Sequence, residues 1–184
     1  MTQEEYLKEM EWFANGERCV PEAFFGAPWD IYSHFHRWEV IQNELNEGDH
    51  AIELGCGCGI TPRIYALRTK RPFVALDKLE VIEMAELLYP TPGIEYYAAD
   101  FNEHWAYDYG VFDIVICTHV IEHIKEKDLF LSELAKLAHN NTRYILDVPI
   151  GEDDNSFHIH HWESKEEFID DVSAYIPRES IVMP

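Results

Sequence analysis

Glu53-Leu54-Gly55-Cys56-Gly57-Cys58-Gly59, the run ELGCGCG, decides how this chain folds. Three alternate glycines remove the β-carbons that would block a tight turn, so a ligand can lie against main-chain N–H groups at the start of a helix. Reading outward, the apolar run HAIEL (50–54) enters the loop as a strand and TPRIYALRT (61–69) leaves it as a helix. The same alternation recurs as FVALD then LEVIEMAELLY, IEYYAAD then a short irregular piece, FDIVICT then KEKDLFLSELAKLAH, and RYILDVP then SKEEFIDDVSAY. Strands that are nearly all apolar need helices on both faces. The expected fold is therefore α/β: a Rossmann-like, doubly wound, mostly parallel sheet of five to six strands, with its ligand at the carboxyl ends of the strands. Thr61-Pro62 reads as an N-cap and first helical turn, and Ser164 with Glu167 as a capping box.

The glycine spacing chooses between ligands. A dinucleotide-binding loop, G-x-G-x-x-G, needs glycine where Ile60 stands, and a phosphate-binding P-loop needs a G-K-[ST] that is absent. G-x-G-x-G preceded by Glu53, with Asp77 ending the second strand and Ala99-Asp100-Phe101 ending the third, resembles the class I S-adenosylmethionine-dependent methyltransferases that act on small molecules. The segment HVIEHI after the fourth strand is similar to the one in the same place in that family. The resemblance covers residues 50 to 176. It implies that Glu53, Gly55, Cys56, Gly57 and Gly59 surround the amino-acid part of S-adenosylmethionine, and that Asp77, followed by Lys78, receives the ribose hydroxyls. It further implies that Asp100 takes the adenine amine, that Phe101 offers an apolar face, and that Thr118 closes the site. A strand-end aspartate is by itself an ordinary cap or turn former. Four matches in order at successive strand ends carry the assignment.

Two departures from the family pattern stand out. Asn140-Asn141 replaces a proline-glycine turn before the fifth strand, a place where asparagine tolerates the left-handed conformation. The chain reaches SIVMP where the family adds a sixth and a seventh strand, so the final strands are expected to be missing. An exposed sheet edge then invites a homodimer or a covering by the N-terminal helices.

Ten histidines are many for 184 residues, and five gather at 119, 123, 158, 160 and 161. His119 and His123 are the candidate catalytic bases, placed where the family holds its acceptor. His119, Glu122 and His123 also have the one-face spacing of helical metal ligands, which a histidine of HIHHW would complete. That pattern is similar to the metal-assisted RNA-end 2′-O-methyltransferases, with His119 in place of their first glutamate. Acidic residues outnumber basic ones 35 to 14, a net charge of −21 that repels a phosphate backbone. The expectation is a metal-free enzyme that methylates oxygen or nitrogen of a small molecule, with no nucleic acid and no membrane partner. A silent S-adenosylmethionine-binding regulatory module and the RNA-end enzyme are the alternatives.

Residues 1–49 read as an N-terminal helical cap or lid and 50–184 as the methyltransferase domain. Trp12, Phe24, Phe25, Trp29, Tyr32, Phe35 and Trp38 have a spacing that suits core more than a substrate pocket. MTQEEYLKEMEW lacks the basic flank and apolar run of a signal peptide, and no stretch nears the roughly 20 apolar residues of a membrane span. With Cys19, Cys56, Cys58 and Cys117 the only cysteines, no disulfide framework is expected, and the C-x-C spacing is too tight for a metal loop. The expected location is the cytoplasm.

Overall fold

Short apolar strands that alternate with helices can pair only in parallel, because each crossover brings the chain back to the same sheet edge. The computed structural model describes residues 37–184 except 89, 107–108 and 152–155. It contains β1 (Ala51–Leu54), β2 (Phe73–Asp77), β3 (Ile94–Ala98), β4 (Phe112–Thr118), β5 (Ala138–Asp147) and β6 (Ile181–Val182). They form one parallel sheet in the order β3-β2-β1-β4-β5-β6. The described α-helices that follow β1 are α1 (Ile60–Thr69), α2 (Leu79–Leu88), α3 (Lys127–Ala135) and α4 (Lys165–Val172). None of the helices among the described residues is long and apolar enough to cross a membrane.

The chain divides into two compact units, 1–40 and 41–184. Of the first unit residues 37–40 are described, and they are helical. Most of the expected cap, including Trp12, Phe24, Phe25, Trp29, Tyr32 and Phe35, lies outside the described residues.

In the second unit, successive strand residues point to opposite faces and divide the core. Ile52, Leu54, Val74, Leu76, Val115, Cys117, Tyr144 and Leu146 pack with Phe130, Leu131 and Leu134 of α3 and Phe168 and Val172 of α4. On the other face Ala51, Phe73, Ile114, Ile116 and Ile145 pack with Tyr65 of α1 and with Ile41 and Leu45, while Ala75 meets Ile82 of α2. Burial of each large apolar side chain contributes about 1.5–3 kcal/mol. Asp171 ties α4 to α3, accepting from Lys127 Nζ at 2.5 Å and from Trp162 Nε1 at 3.1 Å.

Four local expectations need correction. SIVMP does not leave the sixth strand missing: Ile181 and Val182 pair in parallel with Tyr144 and Ile145. Helix α1 starts one residue earlier than Thr61, after Gly59 in the left-handed region (φ 87°), and no side chain caps it. Thr61 spends its hydroxyl on Glu53 instead. Asn140 and Asn141 make no left-handed turn; they belong to β5, beside an irregularity where the register against β4 shifts. Ser164 does cap α4, accepting from Glu167 N–H at 3.1 Å, but Glu167 returns its carboxylate to the N–H of Glu163 rather than to that of Ser164.

The loop after β1 approaches the segment after β4 closely enough to exclude any side chain. Gly55 has φ 77°, and a β-carbon there would lie 2.1 Å from Val120 Cγ2. Gly55→Ala is expected to destabilise the fold by about 2–4 kcal/mol, from left-handed strain and overpacking together. Urea denaturation checks this, and Val120→Ala in the same chain should restore the overpacking share alone.

Candidate functional site

In an all-parallel sheet the carboxyl ends of every strand face one edge, and the strand order reverses between β1 and β4. A crevice opens at such a switch point. Its floor is the glycine loop, whose Gly55 and Cys56 N–H groups both donate to Leu76 O, at 2.8 and 3.1 Å. Gly57 N–H donates to Asp77 Oδ2 at 2.9 Å, and Lys78 N–H to Asp77 Oδ1 at 2.8 Å. Asp77 thus organises the turn as well as ending β2. The side chain of Lys78 is exposed, and Cys56 is buried.

Glu53 is 2% exposed. Thr61 donates to its Oε1 at 2.7 Å, and its Oε2 is buried without any hydrogen-bond partner. Burial pushes the carboxyl up to about 8, helped by the nearby negative charge of Asp77 and opposed by the Thr61 hydrogen bond. A buried acid with an empty acceptor oxygen beside a bare backbone loop matches a ligand that brings a positive charge. Tyr96 closes the same loop: its buried hydroxyl also lacks a partner and lies 2.6 Å from where a β-carbon on Gly59 would sit.

The loop after β3 divides its two predicted residues. Asp100 is exposed and accepts from Asn102 N–H at 2.9 Å. Phe101 turns inward, 6% exposed, and meets the rings of Trp105 and Phe130 edge-on at 5.2 and 5.4 Å.

Thr118 ends β4, opposite Asp147 at the end of β5. His119 follows in a left-handed conformation (φ 54°), which few residues other than glycine adopt, and its N–H donates to Asp147 O at 2.8 Å. The imidazole stands between two carboxylates, with Nδ1 3.1 Å from Glu122 Oε1 and Nε2 3.5 Å from Asp147 Oδ2. The α-helix expected after β4 begins only at Lys127, and Ile121–His123 form a single 3₁₀ turn. The one-face helical spacing of His119, Glu122 and His123 therefore fails. Donor atoms of Glu122, His123 and His158 come within 4.8 Å of one another, and His119 is not of that group.

The segment 157–160 is laced to this turn. Ile159 and His160 N–H groups donate to Glu122 O at 2.7 and 3.2 Å. His123 Nδ1 and His160 Nε2 reach the carbonyls of Phe157 and Ile124 at 3.1 and 2.8 Å. A carbonyl only accepts, so both of these ring nitrogens carry protons. His161 is exposed. Sequence reasoning missed Asp147 and the role of Thr61. Asp147 had a readable signal, since it ends β5 as Asp77 ends β2, whereas Thr61 was read as a cap.

A parallel doubly wound sheet with a G-x-G-x-G turn and a strand-end acid on either side of its switch point defines a Rossmann-like transferase class. The methyltransferase domain model matches residues 52–146 of the 184, and the chain belongs to that family. The family assignment made from the glycine loop and the strand-end acids is thereby borne out. Among solved structures, the fold is similar to a putative methyltransferase of Bacillus halodurans (18% identity, 78% of this chain and 68% of that one, TM-score 0.64). It is also similar to the YcgJ protein of Bacillus subtilis (15%, 76% and 68%, 0.62). A third is the N-methyltransferase NodS of Bradyrhizobium japonicum, solved with S-adenosyl-L-homocysteine (15%, 68% and 65%, 0.57). The chain spans about two thirds or less of the length of the solved proteins it resembles. No curated protein sequence matches it.

The raised pKa of Glu53 makes a signed forecast. Its folded value, about 8, exceeds the 4.5 of a free carboxyl, so its contribution to stability is complete below 4.5 and is lost as pH climbs towards 8. Glu53→Gln removes that loss. The variant should gain on the natural chain by on the order of a few kcal/mol between about pH 5 and pH 8, and the gap should level off above that. Urea midpoints across the range check this; a gap independent of pH would contradict it.

Proposed function

We propose that the chain binds S-adenosylmethionine at the glycine loop and methylates an oxygen or nitrogen of a small-molecule acceptor. The observation that carries this reading is Glu53, a buried acid with an unused oxygen at the foot of a loop that no side chain can enter. The cofactor's amino group and sulfonium are positive and it has no phosphate, which suits this acidic cleft better than a dinucleotide. Glu53 would face the amino group, the backbone of Gly55–Gly59 the amino-acid chain, and Asp77 with Lys78 the ribose. Asp100 would receive the adenine amine, with Phe101 behind it and Thr118 across the crevice.

S-adenosylmethionine, when bound, supplies a methyl group activated by the sulfonium. What remains for the chain is to position the acceptor, exclude water and hold the acceptor's proton. His119 is placed for the last task. Its imidazole stands between the Glu122 and Asp147 carboxylates, at 3.1 and 3.5 Å. The charge of −21 supports a small molecule over nucleic acid. The backbone-held glycine loop serves the cofactor alone, so turnover is what separates an enzyme from a silent binding module.

Calorimetry is expected to show S-adenosylmethionine and S-adenosylhomocysteine binding with similar affinity while a nicotinamide dinucleotide does not bind. Asp77→Ala should weaken both by about 1–3 kcal/mol, the loss for a carboxylate that serves two hydroxyls. His119→Ala should leave S-adenosylhomocysteine affinity unchanged and lower transfer of labelled methyl to an acceptor panel. Unaltered affinity in Asp77→Ala would remove the ribose assignment, and binding without turnover on any acceptor would support the silent module.

A further inference from the structure

We infer that Glu122, His123 and His158 form a site for a divalent transition metal of the zinc class, independently of whether the chain transfers methyl groups. Glu122 is fully buried, and neither of its carboxylate oxygens accepts a hydrogen bond. A carboxylate taken out of water without such bonds costs several kcal/mol, and a metal ion bound beside it would offset that cost. His119 Nδ1 stands 3.1 Å from Oε1, but that imidazole is 38% exposed and also leans towards Asp147. It leaves Oε2 unanswered.

Two imidazoles complete the set. His123 donates its Nδ1 proton to Phe157 O, so its Nε2 presents a lone pair. An outer-shell carbonyl that fixes tautomer and ring orientation in this way is the usual companion of a metal-ligating histidine. His158 is brought alongside, its ring 4.8 Å from that of His123. The chain that carries it is clamped to the 3₁₀ turn by Ile159 N–H and His160 N–H on Glu122 O, and by His160 Nε2 on Ile124 O. None of those bonds uses a donor atom of the three side chains. One ligand atom from each of the three side chains lies within 4.8 Å of the other two, against the roughly 3.4 Å that separates ligands around a tetrahedral ion with bonds of about 2.1 Å. Two nitrogens and one carboxylate select Zn²⁺ or Co²⁺ over Mg²⁺ and Ca²⁺, which take all-oxygen ligand sets.

The test uses the untagged full chain, stripped with chelator, titrated with Zn²⁺ by calorimetry and with Co²⁺ by visible absorption. One equivalent of each should bind, and Mg²⁺ at the same concentration should not. Glu122→Gln and His158→Ala should each weaken binding by at least about tenfold. His158 is only partly buried, so its variant keeps the test valid if the Glu122 variant does not fold. His139→Ala, at the opposite end of β5 and paired with Asp113, should bind as the natural chain does. Absence of stoichiometric Zn²⁺ or Co²⁺, equal binding of Mg²⁺, undiminished affinity in both site variants, or loss in His139→Ala would each overturn the site.

Discussion

The distance between the loop after β1 and the segment after β4 governs everything at the ligand edge of this sheet. Val120 leaves no room for a β-carbon on Gly55, and Gly55 and Cys56 in turn hang from a single carbonyl at Leu76. The loop after β1 is therefore held by backbone bonds to β2 and confined by the Val120 side chain. The segment after β4 must turn sharply to meet that approach, and His119 absorbs the turn in a left-handed conformation that costs about 1–3 kcal/mol for a side chain of its kind. Its N–H bond to Asp147 O offsets part of that cost, and the imidazole lies between Glu122 and Asp147.

Parallel strands carry a second consequence. Because every strand ends at one edge, the acids that close them gather there too: Asp77 at the end of β2, Asp147 at the end of β5, with Glu53 a residue short of the end of β1 and Glu122 just past β4. An acid buried at such an edge must be neutralised or hydrogen-bonded. Glu53 meets the condition by holding a proton, with its carboxyl pushed up to about 8. Glu133, equally buried but at a different place, shows the contrast. Burial would raise it as well, yet Lys136, His104 and the N–H of Ala106 surround it and bring it down to about 2. Three donors surround Glu133 where the Thr61 hydroxyl serves Glu53, and that difference in hydrogen bonding accompanies the opposite outcomes. Glu133 is a satisfied structural joint, while Glu53 keeps one buried oxygen, and Glu122 two, without a hydrogen-bond partner.

How much of this was legible in the sequence follows from how local the determining forces are. Strand positions were readable because two-sided burial demands unbroken apolar runs, and FDIVICT matches β4 residue for residue. The ligand loop was readable because only glycine satisfies its backbone. Helix starts were less so: Thr61-Pro62 has the composition of a cap, but a long-range partner, Glu53, competes for the hydroxyl and wins because the acid is buried. Asn140 and Asn141 look like a turn for the same local reason, yet β5 extends through them once Thr142 hydrogen-bonds across to Phe112 O. The His/Glu cluster failed most instructively. Spacing of three and four residues means one face only on an α-helix, and a three-residue 3₁₀ turn obeys a different period, so His119 and His123 diverge while His158, distant in sequence, converges.

These different kinds of determination separate the two halves of the crevice. The floor from Gly55 to Asp77 is built of main-chain donors and acceptors, and its geometry survives any substitution that keeps glycine in place and the β2 acid present. The opposite wall, from His119 through Glu122 to the 157–160 segment, is built of side chains hung on short turns and stitched by histidine rings to carbonyls. Substitution at its exposed and partly buried histidines changes the shape and charge of the wall. A backbone-built floor suits a ligand common to a whole family, and a side-chain-built wall suits the partner that differs from one member to the next.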